Sequence, residues 1–244
     1  MKKQTTILIG ANSAIAKSLA QEIITEHNTQ LIVISRNTQF YQQDLFENTK
    51  VIQVNNYHES QIISALDTIK REEAPEIGQV FICHGLLHNE NCQPEKRLED
   101  FSERQFIEIL SANTITPMLW LKHLTPLLSE SSHCKVVIFT ARVGSISDNK
   151  LGGWYSYRAS KAAMNMLIKS TAIELARRAK NIKLISFHPG TTDTPLSQPF
   201  QKNVPKGKLF SSDFVSKQLL KIIESLDIDG EASFIDWQGK PITW

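Results

Sequence analysis

The sequence predicts an α/β fold in one domain, a doubly wound parallel sheet of about seven strands with helices on both faces. Three observations carry that expectation. Short apolar runs alternate along the chain with segments of helical periodicity, the signature of repeated β–α–β units. The runs are apolar at nearly every position rather than at every second one, so both faces of each strand are to be buried. The first run also ends in a glycine-containing turn that opens directly into the first helical segment.

Each element follows in order. The β-branched run at 5–9 predicts the first strand, and the periodicity of 14–27 the first helix. Residues 31–35 and 51–54 are the second and third strands, 59–71 a helix and 79–83 a buried strand. Residues 101–128 form a long helix interrupted near Pro117, because proline removes a backbone donor. A strand at 135–140 precedes a helix at 155–178 that contains no glycine or proline, and 183–187 is another strand. Residues 213–225 are a helix capped by Ser212 or Asp213, and 232–235 a short closing strand. The irregular stretch 189–211, with Pro195, Pro199, Pro205 and Gly207, is long for a compact domain, and such loops commonly act as lids. No repeat, low-complexity tract or linker divides the chain, so 1–244 is expected to be one domain.

Composition narrows the function. With 244 residues, 41% hydrophobic and 21% charged, the chain is long enough for a substantial core. A net charge of +2 argues against a nucleic-acid or membrane-surface partner, which needs a concentrated basic face. The cluster Arg177-Arg178-Ala179-Lys180 lies at a helix C-terminus, where cations complement the dipole. Cys83, Cys92 and Cys134 are an odd number with no metal-like spacing, which points to a reduced, cytoplasmic protein. Met1-Lys2-Lys3 runs straight into the first strand, and neither a signal peptide nor a membrane span is expected. His84 and His88 are four apart but have no third partner, so no metal site is expected.

The turn after the first strand, Gly10-Ala11-Asn12-Ser13-Ala14-Ile15-Ala16, stands where a doubly wound fold binds a pyrophosphate on free backbone N–H groups and the positive helix end. Ala14 adds a methyl where the backbone must approach phosphate. The second strand ends in Ser35-Arg36-Asn37, without the acidic residue that would bind ribose hydroxyls. Arg36 can pair with a 2′-phosphate instead, which places NADP ahead of NAD. Asn55 and Asn56, at the end of the third strand, carry amides suited to an adenine edge, and are also ordinary turn residues. On the long helix, Tyr157 and Lys161 are four apart and share a face. A phenol holds its proton up to a pKa of about 10, and a nearby ammonium is expected to lower that value toward neutrality.

With this loop, Asn113, Tyr157 and Lys161 in order, the chain resembles the short-chain dehydrogenase/reductase family over essentially its whole length. Within that family it is most similar to the C-factor-like and small carbonyl reductase branch. The segments that carry the likeness are Ala141-Arg142-Val143-Gly144-Ser145-Ile146, residues 152–161, residues 188–194 and Asp236-Trp237-Gln238-Gly239. The resemblance implies a Rossmann-type domain that transfers a hydride between NAD(P) and a carbonyl or alcohol substrate. Tyr157 would then be the acid/base, Lys161 would bind the nicotinamide ribose, and Asn113 would bend the central helix and hold a relay water. It further implies cofactor contacts from Gly10, Asn12, Ser13, Ala14, Ile15, Arg36, Asn37, Asn55, Asn56, Gly85, Pro189, Gly190, Thr192 and Thr194. One departure stands out. Ala141 occupies the place of the family's substrate-polarising serine, and alanine donates no hydrogen bond. Ser145 is expected to replace it in preference to Thr140, which strand alternation turns away. The alternative is a nucleotide-binding signalling or regulatory protein of C-factor type with little turnover. Leu196, Phe200, Val204, Leu209 and Phe210 on the lid suggest an apolar substrate. The small and apolar face of 159–176, beside 101–128, suggests a homodimer or homotetramer.

Overall fold

The computed structural model describes residues 4–26, 28–71 and 76–244. Met1-Lys2-Lys3 and His27, the last residue of the first expected helix, lie outside the described residues. The chain runs β1 Gln4–Ile9, α1 Ala14–Ile23, β2 Thr29–Ser35, β3 Lys50–Gln53, α2 Glu59–Lys70 and β4 Ile77–Ile82. It continues through α3 Glu103–Leu110, a π-helical turn Ser111–Ile115, α4 Thr116–Leu128, β5 Cys134–Phe139, α5 Tyr155–Arg178 and β6 Ile182–His188. Two short strands, β7 Thr191–Thr192 and β8 Leu209–Phe210, precede α6 Ser212–Glu224 and β9 Ser233–Asp236.

Seven strands form one parallel sheet in the order β3-β2-β1-β4-β5-β6-β9. From β1 the chain winds outward through β2 and β3, then returns to β4 and winds the other way. The crevice beyond the C-terminal ends of β1 and β4 is therefore the switch point at which such sheets bind ligands. Strand alternation sends Ile7 and Ile9 to one face, against Trp120 and Leu124 of α4 and Ile168 of α5. Leu8 goes to the other face, against Leu19 of α1 and Val215 and Leu219 of α6. Both layers are dry, which is why the strands read as continuous apolar runs.

Two local expectations need correction. The break in the long helix is the π-helical turn centred on Asn113, and Pro117 merely falls in the first turn of α4 after it. The cap of α6 is Ser211, whose Oγ accepts from the Phe214 N–H at 3.1 Å, so Ser212 and Asp213 already lie inside the helix. In the stretch 189–211, β7 pairs with β8 at its base and a 3-10 segment, Gln198–Asn203, lies between them. Gly190 (φ +75°) is required there, since a Cβ would come within 2.7 Å of the Phe210 ring.

Candidate active site

The switch-point crevice is built first from backbone. Gly10 has φ +72°, and a Cβ on it would lie 3.2 Å from the Cys83 carbonyl, so the β1–α1 turn and the end of β4 approach closely. Ser13 caps α1 by accepting from the Ala16 N–H at 3.2 Å, which directs the helix N-terminus into the crevice. Gly10, Asn12, Ser13, Ser35, Arg36, Asn37, Tyr57, Cys83, His84 and Gly85 line one open groove there. It continues into a cavity of about 380 Å³ lined by Asn12, Ser13, Ala14, Ile15, Gly85, Thr140, Tyr157, Lys161, Pro189 and Thr194.

At the outer end the Arg36 guanidinium stands over the Tyr57 ring, 5.1 Å from its centroid, and Tyr57 meets His84 edge-on at 4.3 Å. No acidic side chain among the described residues lines this groove. Burial pushes His84 down to about 3, so it is neutral, and its buried Nε2 has no partner among the described residues. Sequence reading stopped at Asn56 and missed Tyr57, although aromatic side chains make flat walls. Asn56 lines a neighbouring groove beside Arg36, but its Oδ1 accepts from the His58 N–H at 2.9 Å. Asn37 likewise accepts from the Gln39 N–H, and the Asn55 N–H is held by the Gln61 side chain. These are local turn bonds. Asn55 does not line either groove or the cavity. A dinucleotide fits the remaining arrangement, with a glycine cradle, a capped helix end and an unsatisfied buried imidazole edge.

At the inner end Tyr157 and Lys161 stand one turn apart on α5 and line the same cavity. The Lys161 Nζ donates to the Phe139 carbonyl at 2.9 Å and lies 5.8 Å from the Tyr157 ring centroid. Burial pushes the Tyr157 phenol up to about 12 and the Lys161 ammonium down to about 8. This reverses the expectation of a phenol drawn toward neutrality. Desolvation outweighs the ammonium, whose charge is directed at a backbone carbonyl, so Tyr157 keeps its proton. Gly144 packs on the same turn, where a Cβ would sit 2.8 Å from the Lys161 backbone.

Asn113 ties three elements together at the centre of the π-helical turn. Its Oδ1 accepts from the Leu86 N–H at 2.6 Å, while Nδ2 donates to the Leu86 carbonyl and to Ser160 Oγ at 3.0 Å. It thus reaches α5 beside Tyr157 without lining the cavity. Pro189, Gly190, Thr192 and Thr194 converge on an adjoining space of about 220 Å³ that also contains Leu87, Ala141, Val143, Trp154, Tyr157 and Phe200. No charged side chain among the described residues lines it.

Ala141 packs against Leu87 and Tyr157, in the place where a hydroxyl donor was expected to be missing. Ser145 does not supply one. After the 3-10 turn Arg142–Gly144 its Oγ accepts from the Asp148 N–H at 3.2 Å and approaches Ser147 and Thr243, outside both cavities. Thr140, expected to be turned away by strand alternation, instead lines both cavities because it lies past the end of β5, but its proton is already used. Asn165 directs Nδ2 at the Gly144 carbonyl, so its Oδ1 accepts from Ser186 at 2.6 Å. Ser186 must then accept from Thr140, 2.6 Å away. Tyr157 faces this space together with Thr191, Thr192 and Thr194, and the buried Thr192 Oγ1 has no partner among the described residues.

Residues 4–205 match the family model described as short chain dehydrogenase. The chain belongs to the short-chain dehydrogenase family. It is a nicotinamide-dependent oxidoreductase of that family, and six of the seven strands of the sheet, the glycine turn and the Tyr157–Lys161 pair all fall in the matched span. Among similar curated proteins is a C-signal of Myxococcus xanthus, 29% identical over 147 residues, 60% of this chain and 83% of the relative. A benzil reductase of Bacillus cereus is 24% identical over 258 residues, 94% of this chain and 98% of the relative. The fold matches that of an NADPH-bound carbonyl reductase from chicken fatty liver, with TM-score 0.83, 19% identity and the full length of both chains covered. No described helix of this short-chain dehydrogenase is long and apolar enough to cross a membrane.

Proposed function

We propose that the protein reduces an uncharged, largely apolar carbonyl compound with NADPH, or oxidises the corresponding alcohol. The observation that carries the reading is the single cavity shared by the Asn12–Ile15 backbone, Tyr157 and Lys161. When bound there, the reduced nicotinamide supplies a hydride to the carbonyl carbon. Tyr157 gives its phenolic proton to the developing alkoxide, and Lys161 hydrogen-bonds the ribose and keeps a positive charge one turn away. Asn113 fixes the helix break that sets α5 against the loop after β4. Arg36, with no carboxylate beside it in the groove, supports NADPH over NADH by pairing with the 2′-phosphate. Trp154, Phe200, Leu87 and Val143 support an apolar substrate.

The relatives that reduce carbonyl compounds by name point the same way as this site. Ile107 on α3, Ile115 at the end of the π-helical turn, and Met166 and Ile173 on α5 are exposed apolar side chains that suit pairing with a second copy. A homodimer or homotetramer follows, and light scattering at micromolar concentration tests it. The three cysteines are free and buried, in keeping with a cytoplasmic protein. The test of function is binding of NADPH and NADH by fluorescence, followed by NADPH oxidation over aldehydes, ketones and quinones. Turnover supports the reductase, while tight binding with none supports a regulatory nucleotide binder.

A further inference from the structure

Helix α5 begins in an unusual way. Its N-cap position is Trp154, a non-glycine residue with φ +53°, whose side chain makes no capping bond. Gly152 and Gly153 before it also have positive φ. A 24-residue helix therefore starts without a local side-chain acceptor for its first N–H groups, the cap lying three residues before its catalytic tyrosine. The acceptor comes from 61 residues away. Glu95, only 2% exposed, directs both carboxylate oxygens at the Ser156 N–H, at 3.3 and 3.2 Å, and accepts a further short bond from Ser156 Oγ. Its own carbonyl accepts from the Trp154 N–H.

A buried carboxylate is costly unless hydrogen bonds and opposite charge compensate it. Here the compensation is the helix N-terminus itself. Glu95 is in turn held from behind. Gln93 and Gln105 of α3 exchange two bonds, Gln93 N–H to Gln105 Oε1 at 3.4 Å and Gln105 Nε2 to the Gln93 carbonyl at 2.7 Å. Asp100 accepts from the N–H groups of Lys96 and Arg97. The Gly153 backbone also passes close by, since a Cβ there would lie 3.3 Å from the Glu95 carbonyl. The segment 93–97 is thus a fixed abutment between α3 and the first turn of α5.

We propose that Glu95 is a positioning residue for the reaction, acting through Ser156 and Trp154 to fix both the Tyr157 hydroxyl and the aromatic wall of the substrate space. The geometry makes the two outcomes inseparable. Ser156 is the residue before Tyr157, and the Trp154 ring stands 6.1 Å from that of Tyr157 and 5.0 Å from that of Phe200. Loss of the carboxylate leaves the Ser156 N–H and Oγ without their buried acceptor, so the αL residue Trp154 is held only by the main-chain carbonyl of residue 95. The first turn of α5 then shifts, while the Lys161 end stays tied to the Phe139 carbonyl. This inference rests on the reductase reading for its kinetics but not for its structural readout.

The test compares Glu95→Ala and Glu95→Gln with the unmodified chain. Rates are normalised to sites titrated with NADPH, so that any misfolded fraction drops out. For Glu95→Ala the expectation is a fall in kcat of about 100-fold, as for a displacement near 1 Å at the reacting group, with NADPH affinity retained. Glu95→Gln, which keeps an acceptor for the Ser156 N–H, should restore kcat to within about tenfold of the unmodified chain. Amide exchange in 154–158 should rise in Glu95→Ala relative to the distal half of α5, a readout that needs no turnover. If site-normalised kcat is unchanged in Glu95→Ala, or if Glu95→Gln falls equally far, the proposal is overturned. If the unmodified chain turns over no carbonyl, the reductase reading fails, and unchanged exchange in 154–158 would then sink the positioning role separately.

Discussion

The hydroxyls of Thr140 and Ser186 lie 2.6 Å apart, and the direction of their hydrogen bond is set by Asn165. Because Ser186 donates to Asn165, Thr140 donates to Ser186 and has no proton left for a substrate oxygen. With Ala141 beside it, neither residue at the end of β5 offers a proton to a substrate oxygen. Replacing Ala141→Ser should therefore raise kcat on an unactivated ketone by roughly tenfold or more, since one oxyanion donor is worth about 10²–10³ in rate. Steady-state NADPH oxidation checks it, and an unchanged rate would show that the oxygen is already polarised by another group.

Gly144 is held against the backbone of Lys161. A methyl there would stand 2.8 Å from the Lys161 Cβ and carbonyl carbon, with no flexible atom able to give way. Gly144→Ala should cost about 1–3 kcal/mol of stability. It should also weaken NADPH binding by displacing Lys161. Urea unfolding and fluorescence titration measure the two effects.

Arg36 is expected to discriminate between the two nicotinamide dinucleotides. Arg36→Ala should weaken NADPH binding by roughly tenfold or more, the scale of a lost charge-assisted hydrogen bond, and leave NADH binding nearly unchanged. Equal losses for both nucleotides would assign Arg36 to packing on Tyr57.

Two buried histidines give stability a defined pH dependence. His84 is held down to about 3 and His188 to about 4, against an unfolded value of about 6.5. Below pH 6.5 the unfolded chain takes up protons that the folded chain refuses, so stability falls as pH drops from about 6.5 toward 4. Urea midpoints across that window should decline, and His84→Asn should reduce the slope by about one proton. Activity has a different limit. Lys161 loses its charge as pH rises past about 8, so carbonyl reduction should decline above that value although Tyr157 stays protonated to about 12.

Much of this was legible in the sequence, for physical reasons. The limits of α5, Tyr155–Arg178, follow from an uninterrupted segment without glycine or proline. The cofactor crevice follows from one glycine turn between a buried strand and a helix. What was not legible depends on direction or distance. The spacing of Ser145 from Tyr157 says nothing about the 3-10 turn that carries its hydroxyl toward Asp148. The slip of backbone register at Asn113 leaves no mark in hydrophobic periodicity, whereas Pro117 drew attention without causing the break. Glu95 carries no signal in the sequence, because its partner lies 61 residues away.

The most direct measurement is single-wavelength NADPH oxidation over a carbonyl panel by the unmodified chain and by Tyr157→Phe, each with its NADPH affinity determined. The account predicts turnover by the unmodified chain and a loss of roughly 10²–10⁴-fold in the variant, with affinity retained. Turnover that survives Tyr157→Phe, or tight NADPH binding without turnover of any carbonyl, would contradict it.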